Sequence, residues 1–143
     1  MTPADRTAPS LTVPAPAKVN LFLHVVGRRD DGYHLLESLI VLVDFADTLT
    51  LTLDRSGRIA RVNDVPGVAA TADLAVRAAH ALKRECGTAL GVAIDVRKRI
   101  PMGAGLGGGS SDAASVLLAL NRLWGLGLRR AQLAAIGSRS LRP

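Results

Sequence analysis

Residues 101–111 read Pro101, Met102, Gly103, Ala104, Gly105, Leu106, Gly107, Gly108, Gly109, Ser110 and Ser111, and place five of the chain's 14 glycines within seven positions. Upstream, Val92, Ile94 and Val96 alternate as in a strand. Downstream, Ala113, Val116, Leu117, Leu120 and Trp124 share one face of a helix. Glycines at a strand-to-helix junction let backbone N–H groups approach a ligand. The helix start adds unpaired donors and a partial positive charge. That combination suits a diphosphate or triphosphate. Ser110 and Ser111 are expected to cap the helix, and Asp112 to complement its dipole while pointing away from phosphate.

The familiar phosphate loops do not fit the context. Gly103 to Gly108 matches G-x-G-x-x-G in form, but no Asp or Glu follows Asp112 to hold a ribose. A Walker loop needs Gly-Lys-Ser/Thr, and no lysine follows Lys98. A protein-kinase loop should precede its lysine and catalytic loop, and neither comes after this one.

The elements that would carry this loop can be read along the chain. Residues 1–13 are expected to be a flexible tail, with Pro14 and Pro16 breaking the start of a strand at Val19 to Val26. "GRRDDG" at 27–32 is a turn, Leu35 to Phe45 a buried strand, and Leu49, Leu51 and Leu53 the apolar face of another. Ile59 to Val62 adds a short strand. Asp73 is placed to cap a helix carrying Leu74, Ala75, Ala78, Ala79 and Leu82, which Gly87 ends. A last helix spans Arg129 to Ile136, and "GSRSLRP" beyond it is expected to be unfolded. Strands, helix, strand, glycine loop and helix in that order make one α+β domain at 14–137 of a 143-residue chain.

Composition narrows the function classes. Lys and Arg number 18 against 12 Asp and Glu, so the net charge of +6 favours an anionic partner. The basic residues form no run of five, and Phe22, Tyr33, Phe45 and Trp124 are the only aromatics, so nucleic acid is not expected as a partner. The longest clean apolar runs, such as Val116 to Leu120, are far short of the roughly 20 residues of a membrane span. No signal peptide is read at the N-terminus, and Cys86 is the single cysteine, so a cytoplasmic, reducing location is expected.

"PMGAGLGGGSSDAA" at 101–114 resembles the phosphate-binding motif of the galactokinase, homoserine kinase, mevalonate kinase and phosphomevalonate kinase superfamily. "PAKVNLFLHVVGRRDDGYHLLES" at 16–38 is similar to the 4-diphosphocytidyl-2-C-methyl-D-erythritol kinases of that superfamily. The resemblance runs from about Pro14 to Gly137. It implies the superfamily's N-terminal domain, with a fold like ribosomal protein S5 domain 2. It also implies ATP, with Mg2+, phosphorylating the 2-hydroxyl of a cytidine-diphosphate substrate in non-mevalonate isoprenoid synthesis. Lys18 matches the active-site lysine of the family's Pro-Ala-Lys-x-Asn motif, and Asn20 lies on the same strand face, where it would orient substrate. Tyr33 and His34 match the Gly-Tyr-His that binds cytosine. Pro101 to Ser111 would hold the ATP phosphates, and Lys98 would border the adenine site. None of these residues is assigned to a metal.

Two departures follow. The family commonly has Asp-Asn-Leu where this chain has Ala72-Asp73-Leu74, which removes an asparagine from the adenine site. After Gly137 the family continues with a Gly-Ala-Asp-Val-Pro-Phe segment bearing the catalytic aspartate, and then a C-terminal domain. Residues 138–143 here are instead Ser138-Arg139-Ser140-Leu141-Arg142-Pro143. The chain is therefore expected to be cut short and inactive by itself. The alternative is a non-catalytic nucleotide- or RNA-binding module of similar fold.

Overall fold

The computed structural model describes residues 8–28, 34–101 and 108–141. Among these residues, one sheet of four strands carries three α-helices. The strands are β1 (Ser10–Arg28), β2 (His34–Asp54), β3 (Ile59–Arg61) and β4 (Gly91–Arg97), and the helices α1 (Leu74–Cys86), α2 (Gly108–Leu123) and α3 (Arg130–Ser140). Sheet order is β1-β2-β4-β3. β1 and β4 both run antiparallel to β2, and β3 runs parallel to β4. This is the α+β architecture expected.

Alternation builds the core. Leu49 pairs with Val96, Leu51 with Ile94 and Leu53 with Val92, so six apolar side chains share one face of the sheet. All six are buried. On the other face, Ser10 meets Thr52 at 3.3 Å and Thr12 meets Thr50 at 3.2 Å through their hydroxyls. The helices cover the apolar face with small residues, Ala75, Ala78 and Ala79 from α1 and Ala113 and Ala119 from α2, all of them buried. Small side chains bring the helix axes close to the sheet, and Val116, Leu117 and Leu120 fill what remains. Asp73 does cap α1: its carboxylate accepts the Ala75 N–H at 2.9 Å. Among the described residues, no helix is long and apolar enough to cross a membrane.

Four expectations need correction. β1 begins at Ser10, within the stretch read as a tail, and Ser10 to Val13 pair with Leu49 to Thr52. Pro14 and Pro16 lie inside this strand. They are tolerated because β1 is a sheet edge, where a missing N–H breaks no ladder bond on the open side, and the register shifts just beyond Pro16. The two strands expected between Leu35 and Leu53 are a single strand, since Phe45 to Asp47 stay extended opposite Ala15 and Pro16. Helix α3 continues through Gly137 to Ser140, and Leu141 packs on the core. The stretch read as unfolded thus supplies the last turn of a helix.

Candidate functional site

β4 delivers the chain to Lys98, the last lysine before the glycine loop. Its ammonium donates to Asp47 Oδ2 at 2.7 Å and to Asp112 Oδ2 at 2.9 Å. Asp47 comes from β2 and is fully buried. Its other oxygen, Oδ1, accepts the backbone N–H of Arg99 at 2.7 Å and of Ile100 at 2.9 Å. Asp112 comes from the second turn of α2 and is 2% exposed. The Arg99 guanidinium sits 4.8 Å above the Phe45 ring, so a second contact ties the same segment to β2.

Three charges in so small a volume share protons unequally. Burial, together with the neighbouring Asp47, pushes Asp112 up to about 7 against the pull of Lys98. Burial acts on Asp47 as well, but contacts from Asp112, Lys98 and the N–H groups of Ile100 and Arg99 outweigh it and hold Asp47 below the usual carboxylate range. Lys98 is also opposed by burial, and its two carboxylate partners keep it above its ordinary value. At neutral pH the cluster is therefore a carboxylate, an ammonium and an acid about half protonated. Asp112 Oδ1 is buried with no hydrogen-bond partner among the described residues.

Beside this cluster is a cavity of about 200 Å3 lined by Val65, Val68, Ala72, Asp73, Leu74, Lys98, Gly109 and Asp112. Its apolar wall is held by Arg61, which donates to Asp73 Oδ2 at 2.8 Å and to the Val68 carbonyl at 2.8 Å. Asn63 exchanges two hydrogen bonds with the backbone of Val96, at 2.7 and 2.9 Å, and so fixes the chain leaving β3. The first turn of α2 fits closely here. A Cβ at Gly108 would lie 3.0 Å from Ile100 Cγ2 and 3.4 Å from Lys98 Nζ, and one at Gly109 would lie 3.1 Å from Leu74 Cδ1. A larger cavity of about 470 Å3 lies between α2 and α3, with mostly apolar walls such as Leu117, Leu133 and Leu141. It has few groups that could recognise an anion.

The sequence expectations fare unevenly. Helix α2 starts at Gly108, so Gly108 and Gly109 belong to its first turn, and Ser110 and Ser111 are inside the helix rather than its caps. Asp112 does not point outward; it is buried against Lys98. Lys98 borders the cavity, and its ammonium is held by two carboxylates. Pro101 is exposed at the start of the loop, while Met102, Gly103, Ala104, Gly105, Leu106 and Gly107 lie outside the described residues, as does Tyr33. Lys18 is half-buried in β1 opposite Leu42, Asn20 pairs with Ile40, and the backbone of His34 pairs with Arg28. Sequence reasoning missed Asp47. The signal was present, because extending the Leu49, Leu51, Leu53 alternation back by one step puts an acid on the apolar face, and a buried acid needs a partner.

A family profile described as the GHMP kinases N terminal domain matches residues 73–142. A 4-diphosphocytidyl-2-C-methyl-D-erythritol kinase of Ralstonia nicotianae is 60% identical over 126 residues, covering 88% of this chain and 44% of the relative. A crystal structure of a 4-(cytidine 5'-diphospho)-2C-methyl-D-erythritol kinase superposes with TM-score 0.74 at 45% identity, covering 87% of this chain and 45% of that one. Residues 73–142 thus resemble the N-terminal domain of the GHMP kinases. A mevalonate kinase crystal structure, at 19% identity and TM-score 0.66, shares the fold. That N-terminal GHMP-kinase domain has the ribosomal S5 domain 2-like fold, as expected from the sequence. The chain spans less than half the length of the curated relatives it matches.

Proposed function

We propose that these residues form the nucleotide-binding part of an ATP-dependent kinase that phosphorylates the 2-hydroxyl of 4-diphosphocytidyl-2-C-methyl-D-erythritol. The observation that carries this reading is the junction of the Gly108 helix start with the cavity beside Lys98. The cavity has the apolar walls and the few polar groups suited to a nucleobase, with Val65, Val68 and Leu74 against its faces. The first turn of α2 offers N–H donors and a positive dipole end to phosphate oxygens, and Gly108 and Gly109 leave no room for side chains there. The motif at 101–111 leads directly into that turn.

Phosphoryl transfer depends mostly on positioning and charge stabilisation. When bound, ATP supplies the transferred phosphoryl group. Pro101 to Ser111 hold its phosphates, and Lys98 borders its base. Lys18 stabilises charge developing near the acceptor hydroxyl, Asn20 orients the acceptor, and Tyr33 and His34 receive the cytosine. Among the described residues, no three His, Cys, Asp or Glu side chains are grouped to hold a metal ion. The nearest carboxylates, Asp47 and Asp112, are engaged by Lys98, so these residues do not fit a Mg2+ ion on their own. None of the residues matched to the family motifs is a carboxylate able to accept the hydroxyl proton, and the 143 residues alone are expected not to turn over substrate.

The test is a coupled ADP-release assay with the cytidine-diphosphate substrate. It compares this chain with a fusion that adds the part of the Ralstonia nicotianae relative beyond the matching region. Turnover by the fusion and none by the chain alone is expected. Comparable turnover by both overturns the assignment of the missing base, and no turnover by a folded fusion overturns the substrate.

A further inference from the structure

Residues 98–112 begin and end on the same carboxylate cluster. Asp47 Oδ1 accepts the N–H groups of Arg99 and Ile100 at 2.7 and 2.9 Å, which fixes the backbone where the chain turns away from β4. Asp47 Oδ2 holds Lys98 at 2.7 Å, and Lys98 reaches Asp112 in α2 at 2.9 Å. A side chain on β2, some fifty residues earlier in sequence, thereby ties the entry of the glycine segment to its exit. We propose that Asp47 is the positioning residue of the phosphate site, holding Arg99, Ile100 and Lys98 so that the first turn of α2 meets a nucleoside diphosphate or triphosphate already in place. The proposal rests on the nucleotide reading above and gives it a residue that touches neither base nor phosphate.

Physical chemistry favours this role over mere filling of the core. Asp47 lies at the end of an apolar stripe where a leucine would be simpler, and a buried carboxylate is retained there at a desolvation cost. Its hydrogen bonds from Lys98, Arg99 and Ile100 all come from one short segment, and Asp112 of α2 adds a further contact. Lys98, Arg99, Ile100 and the first turn of α2 are held before ligand arrives and need not be ordered by it, so their anchor is read out in affinity.

The experiment uses the full chain with Asp47→Asn and Asp47→Ala. The Asn variant keeps an oxygen for the two N–H groups, and Lys98 keeps Asp112 as counterion, so this variant is expected to fold. ADP affinity is measured by calorimetry, and amide hydrogen exchange is followed by mass spectrometry. Asp47→Asn is expected to weaken ADP binding about tenfold, and Asp47→Ala more, since charge-assisted bonds are lost. Exchange should rise in peptides covering 98–112 and stay unchanged in α1 and β4. Equal ADP affinity in wild type and Asp47→Asn overturns the proposal. So does an exchange increase spread evenly over α1 and β4, which marks a residue that only stabilises the fold. A wild-type chain that binds no ADP overturns the nucleotide reading itself, an outcome distinct from either.

Discussion

Replacing Asp112 by asparagine should make the protein more stable at alkaline pH and change its pH dependence. Asp112 is 2% exposed and its carboxyl is pushed up to about 7 from an ordinary value of 3.8. Between those two values the folded state holds a proton that the unfolded chain has released. Stability must therefore fall as pH rises through this window and level off above it. From pH 5 to pH 8 the carboxyl spans about two pH units of this slope, at about 1.4 kcal/mol each, so the wild type should lose about 3 kcal/mol through Asp112. Asp47 acts with the opposite sign, because its lowered value makes its contribution fade only below about pH 4. Lys98, raised above 10.5, loses its contribution only above that value, so neither group enters the window. Asparagine is close in shape to the protonated acid and does not titrate. The assay is urea unfolding followed by Trp124, the single tryptophan, which is buried and donates its Nε1–H to the Gly91 carbonyl. With a urea slope of roughly 2 kcal/mol per molar, the wild-type midpoint should drop by about 1.5 M over this range relative to the variant. The difference between the two curves cancels every group they share. Curves that run parallel from pH 5 to pH 8, within about 0.5 kcal/mol, would refute the reasoning.

Three further outcomes test the frame around the site. Asp73→Ala removes the α1 cap and leaves the buried Arg61 guanidinium without its carboxylate, so a loss of about 3 kcal/mol is expected by urea unfolding, with Asp73→Asn recovering the cap. A Cβ at Gly91 would collide with the Arg58 carbonyl oxygen, so Gly91→Ala should cost about 2 kcal/mol or more, and a neutral result would show that β3 and β4 separate easily. Trp124→Phe should cost about 1 kcal/mol by removing the indole N–H that donates to the Gly91 carbonyl, read from the thermal midpoint.

Local chemistry in the sequence conveyed some parts of this fold well. Asp73 before an apolar periodicity and Gly87 after it announced α1, since cap and αL residues act within a few positions. The alternation of Leu49, Leu51 and Leu53 announced a half-buried strand. Parts that depend on position in the sheet were less legible. Pro14 and Pro16 looked like strand breakers because nothing local reveals that β1 is an edge. The candidate site shows the same division. The glycine motif and Lys98 stood out by type and spacing. Asp47 did not, because its partners Lys98, Arg99 and Ile100 lie about fifty residues away and only the pairing of β2 with β4 brings them together. The outward direction expected for Asp112 came from weighing phosphate repulsion alone, without an ammonium at 2.9 Å to draw it inward.

The central claim is that the first turn of α2 and the cavity beside Lys98 bind a nucleotide. Calorimetric titration of ADP into the wild-type chain and into Gly108→Val tests it most directly. A valine there would press on Ile100 Cγ2, already 3.0 Å from a Cβ at that position, and would cover the helix N–H groups that phosphate needs. Measurable binding by the wild type, and binding at least tenfold weaker by a variant that retains cooperative thermal unfolding, is the expected result. No binding by the wild type, or equal binding by both proteins, would contradict the account.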